Sequence, residues 1–213
     1  MTRTSRSAAL FDRWSASYDL PGLQLFTYRP IHDAVLARVR RLAPSTVVDL
    51  GCGTGQLTQR LIRRFPDATV IGVDLSDGML TEAAGRLETI GSDARALVRA
   101  DAERLPFAAS SVDLVVCTES FHWYPDQFRA LGELAGMVRP GGRLLIASIA
   151  TMTDVGDRLL TGATGARGNA IRALPPQQLR GLLERSGFEV IHQRRIPRLG
   201  LIAWPVLTDA RRH

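Results

Sequence analysis

Val47-Val48-Asp49-Leu50-Gly51-Cys52-Gly53-Thr54-Gly55 decides how this chain folds. An apolar, β-branched strand ends in an acid and runs directly into three glycines at alternate positions. Leu57, Leu61, Ile62 and Phe65 follow at helical spacing. Strand, glycine loop and helix form the opening unit of a nucleotide-binding α/β fold. The dinucleotide fingerprint is GxGxxG, whereas here the third glycine is Gly55 and Gln56 follows it. A pyrophosphate carries negative charge and needs helix N–H groups. A carboxylate at the mouth of the loop repels such a group and attracts a cationic one.

Further strands follow in register. Thr69-Val70-Ile71-Gly72-Val73-Asp74 reads as a second strand ending in an acid, placed to accept hydrogen bonds from ribose hydroxyls. Ser76 is the expected N-cap of a helix carrying Met79, Leu80, Ala83, Ala84 and Leu87. Leu97-Val98-Arg99-Ala100-Asp101 reads as a third strand, followed by Ala102-Glu103-Arg104-Leu105-Pro106-Phe107. Val112 to Cys117 has a buried-strand pattern and leads into Thr118-Glu119-Ser120-Phe121-His122-Trp123-Tyr124-Pro125. A helix over 128–138, the turn Arg139-Pro140-Gly141-Gly142 and an apolar fifth strand come next. Asp49, Asp74 and Asp101 end three successive predicted strands, and in an open parallel sheet those ends line one crevice.

Asp-Leu-Gly-Cys-Gly-Thr-Gly resembles motif I of the class I S-adenosylmethionine-dependent methyltransferases. Leu-Pro-Phe, Phe-His-Trp and Arg-Pro-Gly-Gly resemble the small-molecule subgroup that includes quinone-ring and trans-aconitate methylating enzymes. The resemblance covers roughly residues 8 to 150. It implies a Rossmann-like three-layer α/β/α sandwich whose seven-stranded, mostly parallel sheet has the order 3-2-1-4-5-7-6, strand 7 antiparallel. It also implies S-adenosylmethionine as cofactor and S-adenosylhomocysteine as product. Carried over residue by residue, it implies a cofactor site of Asp49, Gly51, Cys52, Gly53, Asp74, Leu75, Met79, Asp101, Ala102 and Cys117. Tyr18, in a Tyr-Asp preceding the first core helix, would close over the cofactor's carboxylate. Asp74 would take the ribose hydroxyls, Met79 would lie on the adenine, and Asp101 and Ala102 would meet its edge.

The expected reaction is one in-line displacement at a sulfonium methyl group, onto an oxygen or carbon of a small acceptor. The cofactor carries the activation, and the protein supplies orientation and a dry pocket. A base is needed only where the acceptor must lose a proton. His122 is the first candidate because it follows the fourth strand and titrates near neutrality; Glu119 is the second.

Composition sets outer limits. The 213 residues suit one large domain. The expected subdivision is an N-terminal helical cap over 1–42, a cofactor-binding core over 43–150, a mobile loop over 151–174, and a C-terminal helix and strands over 175–213. Within the last part, strands are expected over 188–195 and 199–207, with Pro205 pointing to an edge or bend. The N-terminus lacks a signal-peptide apolar stretch, and no apolar run is long enough to span a bilayer. Cys52 and Cys117 show no metal-ligand spacing, so no metal is expected. As thiols they suit a reducing cytoplasm.

All 27 basic residues are arginine. Residues 1–138 hold 15 arginines against 16 acids, a net of −1; residues 139–213 hold 12 against 5, a net of +7. The basic final third would suit an anionic small acceptor. It also keeps open an alternative, an RNA or DNA methyltransferase. Thr118-Glu119-Ser120-Phe121 argues against nucleic acid, because it lacks the Asn/Asp-Pro-Pro-aromatic motif of many amino-methylating enzymes. The chain is short after the fifth strand, which leaves room for a homodimer that completes the pocket, or for a non-catalytic cofactor-binding module.

Overall fold

The computed structural model describes Asp12, residues 27–91, 96–150, Gly156, 171–197 and 204–213. Helix α1 (Arg29–Val39) leads into β1 (Thr46–Leu50), α2 (Gln56–Arg64), β2 (Thr69–Asp74), α3 (Asp77–Glu88) and β3 (Leu97–Arg99). Then come β4 (Val112–Thr118), a 3-10 turn over Phe121–Trp123, α4 (Gln127–Met137), β5 (Val138–Ala150), α5 (Pro176–Arg185), β6 (Phe188–Arg195) and β7 (Trp204–Arg212). The strands form one sheet in the order β3-β2-β1-β4-β5-β7-β6. All neighbours from β3 to β5 are parallel; β7 runs antiparallel to both β5 and β6. The expected topology is met strand for strand.

Two apolar layers sandwich the sheet because its central strands are buried on both faces. On one face Ile31, Val35 and Val39 of α1 and Leu57 and Leu61 of α2 pack on Val47, Val70, Leu114, Val116 and Leu145. On the other, Leu131 and Leu134 of α4 and Leu179 and Leu183 of α5 pack on Val48, Val115, Leu144 and Ile146. Each fully buried aliphatic side chain of this kind contributes about 1.5–3 kcal/mol.

Several expectations shift at strand ends. The third strand stops at Arg99, and Asp101 instead forms an isolated bridge with Arg104. Arg139–Gly142 lie inside β5 as its irregular start, where the pairing jumps from Val112↔Val138 to Leu114↔Arg143. The seventh strand is Trp204–Arg212, displaced toward the C-terminus from the expected 199–207. It is also interior, so Pro205 did not mark an edge. Pro205 sits at the strand's second residue, and its carbonyl still accepts from the Ile196 N–H at 2.8 Å. Gln193 also reaches across β7, its Nε2 donating to Thr208 Oγ1 at 3.0 Å.

Several described arginines of the basic final third are engaged in the fold. Asp209 of β7 is fully buried and paired with both Arg38 and Arg143. Arg139 pairs with Asp113 and Arg211 with Glu189, while Arg212 donates to the Ala135 and Gly187 carbonyls. No helix among the described residues is long and apolar enough to cross a membrane.

Asp209 is the anchor whose loss leaves two guanidinium groups facing an apolar strand. Asp209→Ala is expected to lower unfolding stability by about 2 kcal/mol or more in urea titration. An unchanged midpoint would show that both arginines escape to solvent without cost.

Candidate functional site

The glycine loop is shaped by what surrounds it. The Gly51 and Cys52 N–H groups both donate to the Val73 carbonyl, at 2.7 and 3.0 Å, which folds the end of β1 over the end of β2. Gly51 has φ +73°, and a Cβ there would lie 2.0 Å from Ser120 Oγ. Glycine is required at this position by conformation and by space at once. Gly55 (φ +76°) lets the start of α2 approach α3, where a Cβ would meet Ala83 Cβ at 3.0 Å.

Beyond the carboxyl ends of β1, β2 and β4 opens a cleft, the place where open α/β sheets bind ligands. Gly51, Gly53, Asp74, Leu75, Met79, Asp101, Ala102 and Glu119, all expected site residues, line it. Asp74 is oriented by backbone donors: Oδ2 accepts from Gly53 N–H and Oδ1 from Ser76 N–H, both at 2.9 Å. Burial raises its carboxyl above the usual range, and those N–H groups oppose the shift. Ser76 caps α3 as expected, accepting from Met79 N–H at 3.1 Å, and donates to Asp12 Oδ1 at 2.5 Å. Asp101 accepts from Glu103 N–H at 3.0 Å, which fixes the loop carrying Ala102.

Three expected cofactor residues lie elsewhere, and a fourth is undescribed. Asp49 and Cys52 line a smaller adjoining cavity of about 350 Å³ with Tyr28, His32 and Gln56. Asp49 is 1% exposed. Its Oδ2 accepts from Thr58 Oγ1 at 2.6 Å, while Oδ1 finds no hydrogen-bond partner among the described residues. Burial pushes its carboxyl up to about 7, Thr58 opposes this, and the nearby Asp74 adds to it. Cys117 is fully buried at the end of β4, its Sγ 3.4 Å from the Tyr124 hydroxyl. Burial pushes that thiol up to about 12, so it stays protonated. Tyr18 lies outside the described residues.

The two base candidates separate. Glu119 lines the cleft, with its backbone at φ +53°, a conformation uncommon for a non-glycine residue and enriched at functional sites. His122 does not line it. Its ring is 4% exposed, with Nδ1 3.2 Å from Ser148 Oγ. Its carbonyl accepts from Arg172 N–H at 2.7 Å. The 3-10 turn over Phe121–Trp123 causes this, turning successive side chains by about 120°. His122 faces β5, while Trp123 and Tyr124 reach the cleft.

Sequence reasoning missed Ser120, Trp123 and Tyr124 as lining residues, though they stand in a motif it quoted. It also missed Leu50, Val73, Ser76, Ala100, Thr118 and Pro125. Among the described residues no arginine lines the cleft, and no cluster of ligating side chains could hold a metal ion.

The raised Asp49 carboxyl has a stability signature. Its charged form is penalised in the folded state, so stability falls as pH rises from about 4 to about 7 and levels off above. Asp49→Asn keeps the acceptor for Thr58 and removes the charge. Its urea midpoint should fall less over that window than the wild type's; parallel curves would show that Asp49 is solvated.

Residues 48–146 match the family model described as "Methyltransferase domain". The chain is 34% identical over 184 residues to malonyl-(acyl-carrier protein) O-methyltransferase of Methylovorus sp. (strain MP688), covering 84% of this chain and 61% of that protein. It is 35% identical over 137 residues to trans-aconitate 2-methyltransferase of Methylobacterium nodulans, covering 64% of this chain and 50% of that one. The chain thus spans between 50 and 61% of the length of these two relatives. Among solved structures, geranyl diphosphate C-methyltransferase from Streptomyces coelicolor superposes with a TM-score of 0.73 at 18% identity, covering 86% of this chain and 79% of that chain. That structure holds Mg2+, geranyl diphosphate and S-adenosyl-L-homocysteine. The cyclase SpnF superposes with a TM-score of 0.72 at 20% identity, covering 85% and 79%. These two likenesses establish fold, and a cyclase among them shows that fold and reaction are separate matters. Residues 48–146 thus match the methyltransferase-domain family model, and they lie on a sheet with the order β3-β2-β1-β4-β5-β7-β6.

Proposed function

We propose that this protein transfers a methyl group from S-adenosylmethionine to an oxygen or carbon of a small-molecule acceptor. The observation that carries the reading is the cleft itself. It joins Asp74, aimed by two backbone N–H groups, to the glycine loop on one side and to Met79, Asp101 and Ala102 on the other. A nucleoside fits this arrangement, with its ribose at Asp74 and its base between Met79 and Ala102. Asp49 is an acid with an unpartnered oxygen beneath the same loop. It suits the cationic end of S-adenosylmethionine better than a pyrophosphate.

Two acceptor classes fit. The Methylovorus and Methylobacterium relatives are named for malonyl and trans-aconitate acceptors, and a carboxylate reaches the methyl group already deprotonated. The described cleft is acidic, however, with Asp74, Asp101 and Glu119 in its wall. That favours a hydroxyl or an acidic C–H, with Glu119 removing the proton. His122 then acts as a positioning residue, tying the turn after β4 to Ser148 and Arg172. A nucleic-acid acceptor has less support, because Arg139, Arg143, Arg211 and Arg212 of the basic final third are bonded within the fold and no arginine among the described residues lines the cleft.

Calorimetric titration of S-adenosylhomocysteine is expected to show micromolar binding that weakens at least about tenfold, or about 1.4 kcal/mol, in Asp74→Ala. NAD should not bind. Failure of the folded wild type to bind S-adenosylhomocysteine would sink the reading.

The acceptor classes separate by pH profile once an acceptor is found. With Glu119 as base, kcat/KM climbs through one ionisation to a plateau, and Glu119→Gln loses that ionisation and about 100-fold in kcat. A flat profile, insensitive to Glu119→Gln, would instead mark a carboxylate acceptor.

A further inference from the structure

Ser120 and Tyr124 line the cleft, turn toward one another and toward the buried Cys117, and were not among the expected site residues. Ser120 Oγ donates to the Tyr124 hydroxyl oxygen at 2.8 Å. Cys117 Sγ lies 3.4 Å from the same oxygen. The Tyr124 ring is held edge-to-face against Phe121, with centroids 5.6 Å apart and planes at 72°. The hydroxyl therefore has a fixed place. That place is beside the glycine loop: a Cβ built on Gly51 would lie 3.6 Å from the Tyr124 oxygen and 2.0 Å from Ser120 Oγ.

The sheet order says which end of a bound cofactor this is. Asp101 and Ala102 follow β3 and Asp74 ends β2, so base and ribose occupy the β3–β2 side. The Tyr124 hydroxyl sits at the ends of β1 and β4, on the far side of the ribose position. Much of the surrounding wall is apolar: Leu50, Val73, Ala100, Trp123 and Pro125. A fixed oxygen facing an apolar wall attracts a cation and the polarised C–H groups beside it.

Resting on the methyltransferase reading above, we propose that Tyr124 recognises the sulfonium end of S-adenosylmethionine. Ser120 and Cys117 hold its hydroxyl oxygen against Gly51, toward the transferable methyl group. Tyr124 is thus a determinant of cofactor charge state, favouring the methylated, cationic cofactor over its neutral product. Burial holds its phenol well above the usual range, so it acts as a neutral oxygen and takes no proton from the acceptor. The loop glycine, the serine and the tyrosine form one unit: Gly51 makes room for Ser120, and Ser120 fixes Tyr124.

The test compares two ligands that share adenine, ribose and amino-acid ends but differ in the sulfonium methyl. S-adenosylmethionine and S-adenosylhomocysteine are titrated calorimetrically into wild type, Tyr124→Phe and Ser120→Ala, each checked for folding by thermal melt. Tyr124→Phe is expected to weaken S-adenosylmethionine about threefold and leave S-adenosylhomocysteine unchanged. Ser120→Ala should give a smaller shift of the same sign. An unchanged ratio of the two affinities in both variants, whether both ligands weaken or neither does, overturns the role of Tyr124 and leaves the methyltransferase reading intact. Binding of neither ligand by the wild type overturns both.

Discussion

The absence of a side chain at Gly51 is the constraint on which the rest of the site depends. At this one residue the end of β1 bends over β2, through N–H donation to Val73, while the segment after β4 presses Ser120 into the space a Cβ would fill. Strand ends that belong to distant parts of the sequence meet there. The bend opens the cleft above the sheet, and the contact with Ser120 sets where Tyr124 stands. A larger residue at position 51 would therefore disturb the end of β2 and the segment carrying Ser120 and Tyr124 together.

Acids are arranged around this point in graded environments. Asp74 is buried but held by two backbone donors, a geometry that keeps its carboxylate aimed into the cleft. Asp49 is more deeply buried, with Thr58 donating to its Oδ2, so its charged form is costly. Desolvation is the leading cause at both, and hydrogen-bond donors oppose it at both.

Far from the cleft, charge does structural work. Asp209 joins α1, β5 and β7 through Arg38 and Arg143. Some of the arginines of the basic final third, which suggested an anionic partner, serve such internal contacts and backbone carbonyls, as Arg143 and Arg212 do. Net charge along a sequence carries no information about which arginines face solvent.

The strand-loop-helix motif, the acid ending the second strand and the cap at Ser76 were legible in the residues alone, and the sheet order followed from the family resemblance. The first three depend on local spacing, which acts over a few residues. Phe188–Arg195 was placed to the residue for the same reason. The outcome differed where pairing with a distant strand decides an element's end, as at β3, at the start of β5 and along β7. It differed again after β4. Which of Glu119, His122, Trp123 and Tyr124 faces the cleft is set by a single 3-10 turn and by the left-handed backbone at Glu119. The sequence by itself determined the glycine loop, the acids near the strand ends and the resemblance to a methyltransferase family, because these rest on local spacing. Only the tertiary structure decided which side chains after β4 line the cleft, because that depends on contacts between Gly51, Ser120 and Tyr124, brought together across the sheet.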